Sequence, residues 1–239
     1  MPSAARARYR VSVPGAAPEL ESAVTLTPSP LIVFAGVDGA GKTTHAVALV
    51  EWLNGVGVPA TLVPNEGMLA LRQTLTRVAK GVGLEDYGEL VGAFAYRFAV
   101  AVQKWSLYRG VGELAQAGGR VLVLDRYYYC QYAGAVAAGL DDRERTIIEG
   151  LFRGCPRPAV TFYLHLPAGE AHARFAARGH EQADVEEFAA LDAAYRSLPE
   201  ARGFVLVDSS RPIDVVADEI RREVVQRCFP EWERRVSAV

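Results

Sequence analysis

Gly36-Val37-Asp38-Gly39-Ala40-Gly41-Lys42-Thr43 fits G-x-x-x-x-G-K-[ST], and its flanks make it the strongest constraint on the fold. The short apolar run Leu31–Ala35 precedes it, and a helical pattern begins near Thr43. A strand, a glycine-rich turn and a helix in this order let backbone N–H groups converge as an anion nest, and the helix N-terminus adds positive potential. Lys42 is then placed to neutralise the β- and γ-phosphates of a nucleoside triphosphate, with the Thr43 hydroxyl on Mg²⁺. ATP and Mg²⁺ are the expected ligands.

The rest of the chain continues that unit. Apolar runs at Ala60–Val63, Val121–Leu124, Val160–Leu166 and Phe204–Val207 alternate with helical patterns over 69–78 and 87–117, then on through Phe152, and over 170–177, 185–195 and 215–225. The runs are apolar on both faces, as strands covered by helices on both sides must be. This predicts an α/β fold, a five-stranded parallel sheet between two helical layers. The 239 residues suit one such domain over 30–239. Residues 1–29, rich in Ala, Pro, Ser and Arg, read as a flexible or loosely docked extension. A net charge of −2 argues against wholesale binding to nucleic acid or an anionic membrane. Cys130, Cys155 and Cys228 are widely spaced with no metal-ligand pattern, and no run of 18 apolar residues occurs. A cytoplasmic protein with a small-molecule partner is expected.

Asp125-Arg126-Tyr127 closes the run Val121–Leu124, where a carboxylate beside the glycine loop can organise the metal's water shell and Arg126 can face phosphates. With Asp38-Gly39-Ala40-Gly41-Lys42-Thr43-Thr44 upstream and Val207-Asp208-Ser209-Ser210-Arg211-Pro212 downstream, the chain resembles the thymidylate kinase family of nucleoside monophosphate kinases from about residue 30 to 225. The resemblance implies a three-layer P-loop kinase fold with a short lid, and transfer of the ATP γ-phosphoryl group to a nucleoside monophosphate, dTMP or a related nucleotide. It implies Gly39, Ala40, Gly41, Lys42, Thr43, Thr44 and Ser209 on ATP, with Thr43 and Asp125 on the metal. Lys42, Asp125, Arg126, Arg97 and Arg178 would serve catalysis. Asp38 would meet the sugar of the acceptor, Glu66 would lie near acceptor and metal, and Arg97 would grip the acceptor phosphate.

Departures from the family pattern fall on the acceptor base and the lid. Its base-reading places are Cys130, Gly134 and Ala135 here, which leaves Tyr128, Gln131 or Tyr132 to act in a shifted register. Arg174 and Arg178 precede Gly179 as in a lid, yet 179–195 carries no Lys or Arg and five acids, Glu181, Asp184, Glu186, Glu187 and Asp192. Two alternatives follow from these changes: a kinase of a different or modified small acceptor, and a nucleotide-binding protein with little turnover. The long pattern around Val91–Trp105 is a candidate homodimer surface.

Overall fold

The computed structural model describes residues 8–11, 22–65, 69–85, 87–178 and 184–230. Its main sheet contains β3 (Leu31–Ala35), β4 (Ala60–Val63), β5 (Val121–Asp125), β6 (Val160–His165) and β7 (Val205–Asp208), in the order β4-β5-β3-β6-β7. All four pairings are parallel. Chain order reverses at β3, which sits at the centre and sends its C-terminal end between those of β5 and β6. A crevice at such a reversal is where open α/β sheets bind ligands.

Side chains alternate between two cores, as a period of two requires. Ile32, Phe34, Val123, Phe162 and Leu164 face α1 (Lys42–Gly55) and α9 (Ile213–Cys228). Leu31, Val33, Leu122, Leu124 and Tyr163 face the opposite layer. That layer holds α4 (Ala93–Ala117), α5 (Tyr129–Ala137), α6 (Asp142–Leu151) and α8 (Val185–Ser197). The remaining helices are α2 (Leu69–Gly81), α3 (Tyr87–Val91), α7 (Ala168–Ala176) and a 3₁₀ turn over Pro199–Gly203. The expected five-stranded parallel sheet with helices on both faces is thus observed.

Two local features differ from the periodicity. The helical stretch 87–117 breaks at Gly92, whose φ of 78° suits a residue without Cβ, and it becomes α3 and α4. Within the extension, β1 (Arg8–Val11) and β2 (Ser22–Thr25) pair antiparallel, with Arg8 opposite Thr25. Leu26 is buried in the first core. The Ser29 N–H donates to the Ala115 carbonyl at 2.7 Å, and the Gly119 N–H donates to Leu26 at 2.8 Å. Residues 1–7 and 12–21 of the extension, and 179–183 of the expected lid, lie outside the described residues.

Candidate active site

The register of β3 against β5 sets the site, because Phe34 lies opposite Asp125 and the loop after Ala35 therefore opens beside that carboxylate. Two glycines are needed for the loop to turn there. A Cβ on Gly36 (φ 135°) would stand 2.5 Å from the Leu164 carbonyl oxygen, and one on Gly39 (φ 84°) 2.4 Å from that of Ala171. The loop is therefore pressed onto β6 and α7, and α1 starts at Lys42 with its free N–H groups facing the crevice.

Two adjoining cavities lie on this loop. The first, of about 210 Å³, is strongly polar in its lining, which includes Asp38, Gly39, Lys42, Thr43, Asn65, Asp125, Arg126 and Arg178. The second, of about 230 Å³, is lined by Gly39, Ala40, Gly41, Thr44, His45, Arg174, Arg178, Ser209, Arg211 and Ile213. They share Gly39, Gly41, Thr44 and Arg178. A polar chamber beside a groove of mixed lining suits a ligand with a polyphosphate and an apolar ring.

Charge in the first chamber is dense and internally paired. Lys42 is buried, donates from Nζ to the Val37 carbonyl at 2.7 Å and stands 3.8 Å from the Asp38 carboxylate. Burial and the neighbouring Arg126 charge push its pKa down to about 8, against the pull of Asp38 and Asp125. Arg126 pairs with Asp38 through Nη2 and reaches the Gly36 carbonyl at 3.4 Å. Burial raises the Asp38 carboxyl, but Arg126, Lys42 and Arg178 outweigh it and hold its pKa below the ordinary value. Arg126 is also the only described non-glycine residue with positive φ, at 75°, a strained backbone that aims its side chain back across the loop.

The Thr43 hydroxyl donates to Asp125 Oδ2 at 2.5 Å. Asp125 Oδ1 is buried and has no hydrogen-bond partner among the described residues. An orphaned carboxylate oxygen beside a hydroxyl suits a hard cation that takes its remaining ligands from phosphate and water. No group of three or more His, Cys, Asp or Glu that could hold a metal occurs among the described residues.

The other expected residues divide. Ser209 is buried, its Oγ donating to the His165 carbonyl at 2.9 Å at the wall of the second cavity. Arg97 lines neither cavity; it is half-buried, with its guanidinium against Gly134 of α5. Tyr128 is not brought to the cavities, because its ring packs in the core against Tyr127, Tyr132 and Phe152. Gln131 is half-buried on α5, and Glu66 lies outside the described residues.

Further side chains border the site beyond those assigned to ligands from the sequence. Asn65 lines the first cavity and accepts from Lys104 Nζ at 2.8 Å. Lys104 is buried, and in a chain with few lysines its place on the apolar helix α4 was the available signal. Arg174 donates to the Ser209 carbonyl at 3.3 Å, and Arg211 pairs with Glu219. Cys130 Sγ receives the Tyr195 hydroxyl at 3.0 Å and lies 3.8 Å from Arg126 Nη1, joining α8 to the loop that carries Arg126.

Residues 34–220 match the family model for thymidylate kinase. The thymidylate kinase of Bordetella petrii is 32% identical over 202 residues, covering 81% of this chain and 93% of the relative. That of Chromohalobacter salexigens is 25% identical over 217 residues, covering 84% and 98%. A probable thymidylate kinase of Pyrococcus horikoshii is 29% identical over 148 residues, covering 62% and 70%.

Proposed function

The chain belongs to the thymidylate kinase family, and from that premise we propose how its residues carry out transfer of the ATP γ-phosphoryl group to a nucleoside monophosphate such as dTMP. The contact of Thr43 with Asp125, leaving a bare carboxylate oxygen beside Lys42, carries the reading. Lys42 and the amides of residues 39 to 43 hold the donor phosphates, and Thr44, Ala40 and Ser209 border the groove for the rest of ATP. Thr43 and Asp125 would hold Mg²⁺. Bound there, the ion would supply charge neutralisation at the donor phosphates.

An oxygen of the acceptor phosphate attacks the γ-phosphorus, the bond to the β,γ-bridging oxygen breaks, and ADP leaves with that electron pair. Little covalent help is needed, so the protein's work is alignment and charge. Arg126 exchanges Asp38 for oxygens of the transferred group, and Arg178, at the junction of both cavities, adds a second cation. Asp38, released from Arg126, is free to meet the acceptor sugar. Arg97 binds the acceptor phosphate, and Glu66 and Gln131 are assigned to the acceptor by the family resemblance alone. The same proposal puts the enzyme in the cytoplasm, where ATP is supplied; among the described residues no helix is long and apolar enough to cross a membrane.

The test is ADP release from ATP·Mg across a panel of nucleoside monophosphates with product masses recorded, beside Lys42→Ala. A phosphorylated dTMP or related nucleotide, lost in the variant, is the expected result. Full activity in Lys42→Ala overturns the mechanism, and ATP binding with no phosphorylated nucleotide overturns the acceptor class.

A further inference from the structure

Helix α5 lays one face along both arginines of the acceptor side. Cys130 and Gly134 are four residues apart, so they stack on the same face about 6 Å apart along the axis. Cys130 Sγ lies by Arg126 Nη1, at 3.8 Å, while a Cβ at position 134 would lie 2.6 Å from Arg97 Nη1 and 3.3 Å from its Cζ. Gly134 is buried. Its φ is not among the positive ones, so the backbone does not call for glycine there. A glycine in mid-helix costs about 0.5–1 kcal/mol relative to alanine, and here the only requirement it meets is room for Arg97.

The Arg97 side chain makes no hydrogen bond or ion pair among the described residues. Shape, and no polar partner, fixes where its guanidinium stands.

We propose that Gly134 is a positioning residue of the acceptor site: its missing side chain admits the Arg97 guanidinium to the face of α5, one helical turn from Arg126. This rests on the reading of Arg97 as an acceptor-binding residue. It adds that the place where a side chain of α5 would otherwise project toward the acceptor is given over to a cation, so an oxygen-rich acceptor meets five N–H donors there and no side chain of the helix. Because the crowded atom is the end of a long side chain, a methyl group at 134 moves Arg97 and leaves the fold intact.

The experiment is a double-mutant cycle on the full chain, with KM for dTMP, KM for ATP, kcat and thermal midpoint measured for Gly134→Ala, Arg97→Ala and the pair. Gly110→Ala is the control, since this α4 glycine has nothing within 4 Å of its Cβ position. Gly134→Ala is expected to raise the dTMP KM by about ten-fold, the size of one charge-assisted hydrogen bond misplaced, with ATP KM unchanged and the midpoint equal or higher. Gly110→Ala should match it in midpoint and leave the dTMP KM alone. In the Arg97→Ala background, Gly134→Ala should add nothing. An unchanged dTMP KM in Gly134→Ala, or a full additional loss on top of Arg97→Ala, overturns the proposal. Unchanged kinetics in Arg97→Ala would instead overturn the acceptor role of Arg97, and the role of Gly134 with it.

Discussion

Lys42 shows what a single residue contributes at this site. It is buried, its ammonium is held by one carbonyl and a carboxylate at 3.8 Å, and its pKa of about 8 reflects a cation kept out of water at a cost. Lys42→Ala removes both the charge aimed at the donor phosphates and that cost. ADP release should fall by at least about 100-fold, while the thermal midpoint stays level or rises. A collapse of the midpoint would show that Lys42 holds the loop together. Asp125→Asn makes a different prediction, because the amide removes the carboxylate charge but can still accept from Thr43. Activity should fall steeply, with partial recovery at high Mg²⁺, and recovery traced in a Mg²⁺ titration separates a metal role from a purely structural one.

At the scale of elements, helix α8 shows what its acids do in the fold. Asp192 accepts from the Tyr163 hydroxyl at 2.6 Å, pairs with Arg196 at 2.8 Å and sits 3.3 Å from His165 Nδ1. Glu186 and Glu187 are exposed in the first turn, where the helix dipole favours anions. Asp192 therefore fastens α8 to β6, and its charge is not directed at a ligand. Asp192→Ala should cost about 1–3 kcal/mol of stability, from the stranded Tyr163 hydroxyl, with ATP and dTMP KM values unchanged. A large KM change with normal stability would assign Asp192 to ligand binding instead. The glycine loop, the strand ends and the helix starts were legible because their physics is local: spacing, period and φ. What joins α5 to α4 and α8 was not. Tyr195 reaches Cys130 across 65 residues, and Arg97 meets Gly134 through helix packing that no pattern in either segment encodes. Tyr128 illustrates the same limit, since only the packing of the turn that enters α5 sends its ring to the core and not to the acceptor.

For the whole molecule, the two cores on either side of the sheet unfold together if the domain is cooperative, so one buried titratable group can set the pH response of global stability. His45 in α1 is 5% exposed, its Nδ1 lacks a partner among the described residues, and burial lowers its pKa below the ordinary value. In the unfolded chain the same imidazole titrates near its ordinary pKa, about 6.5. Between the two values the unfolded state binds more protons, so stability rises with pH there. The contribution is complete above about pH 6.5 and is lost as pH falls toward the folded-state pKa. Asp38 and Asp208, whose pKa values are lowered below 3.8, contribute in the same direction but only at more acidic pH. The urea midpoint should therefore decline from pH 7 to pH 5.5, and His45→Leu, which fills the same apolar space without a proton site, should flatten that decline. An equally steep slope in His45→Leu would assign the acid sensitivity to another group. A flattened slope would mean that the helix carrying the phosphate loop is held down by an imidazole that must stay neutral, which ties the acid stability of the fold to the element on which the donor site is built.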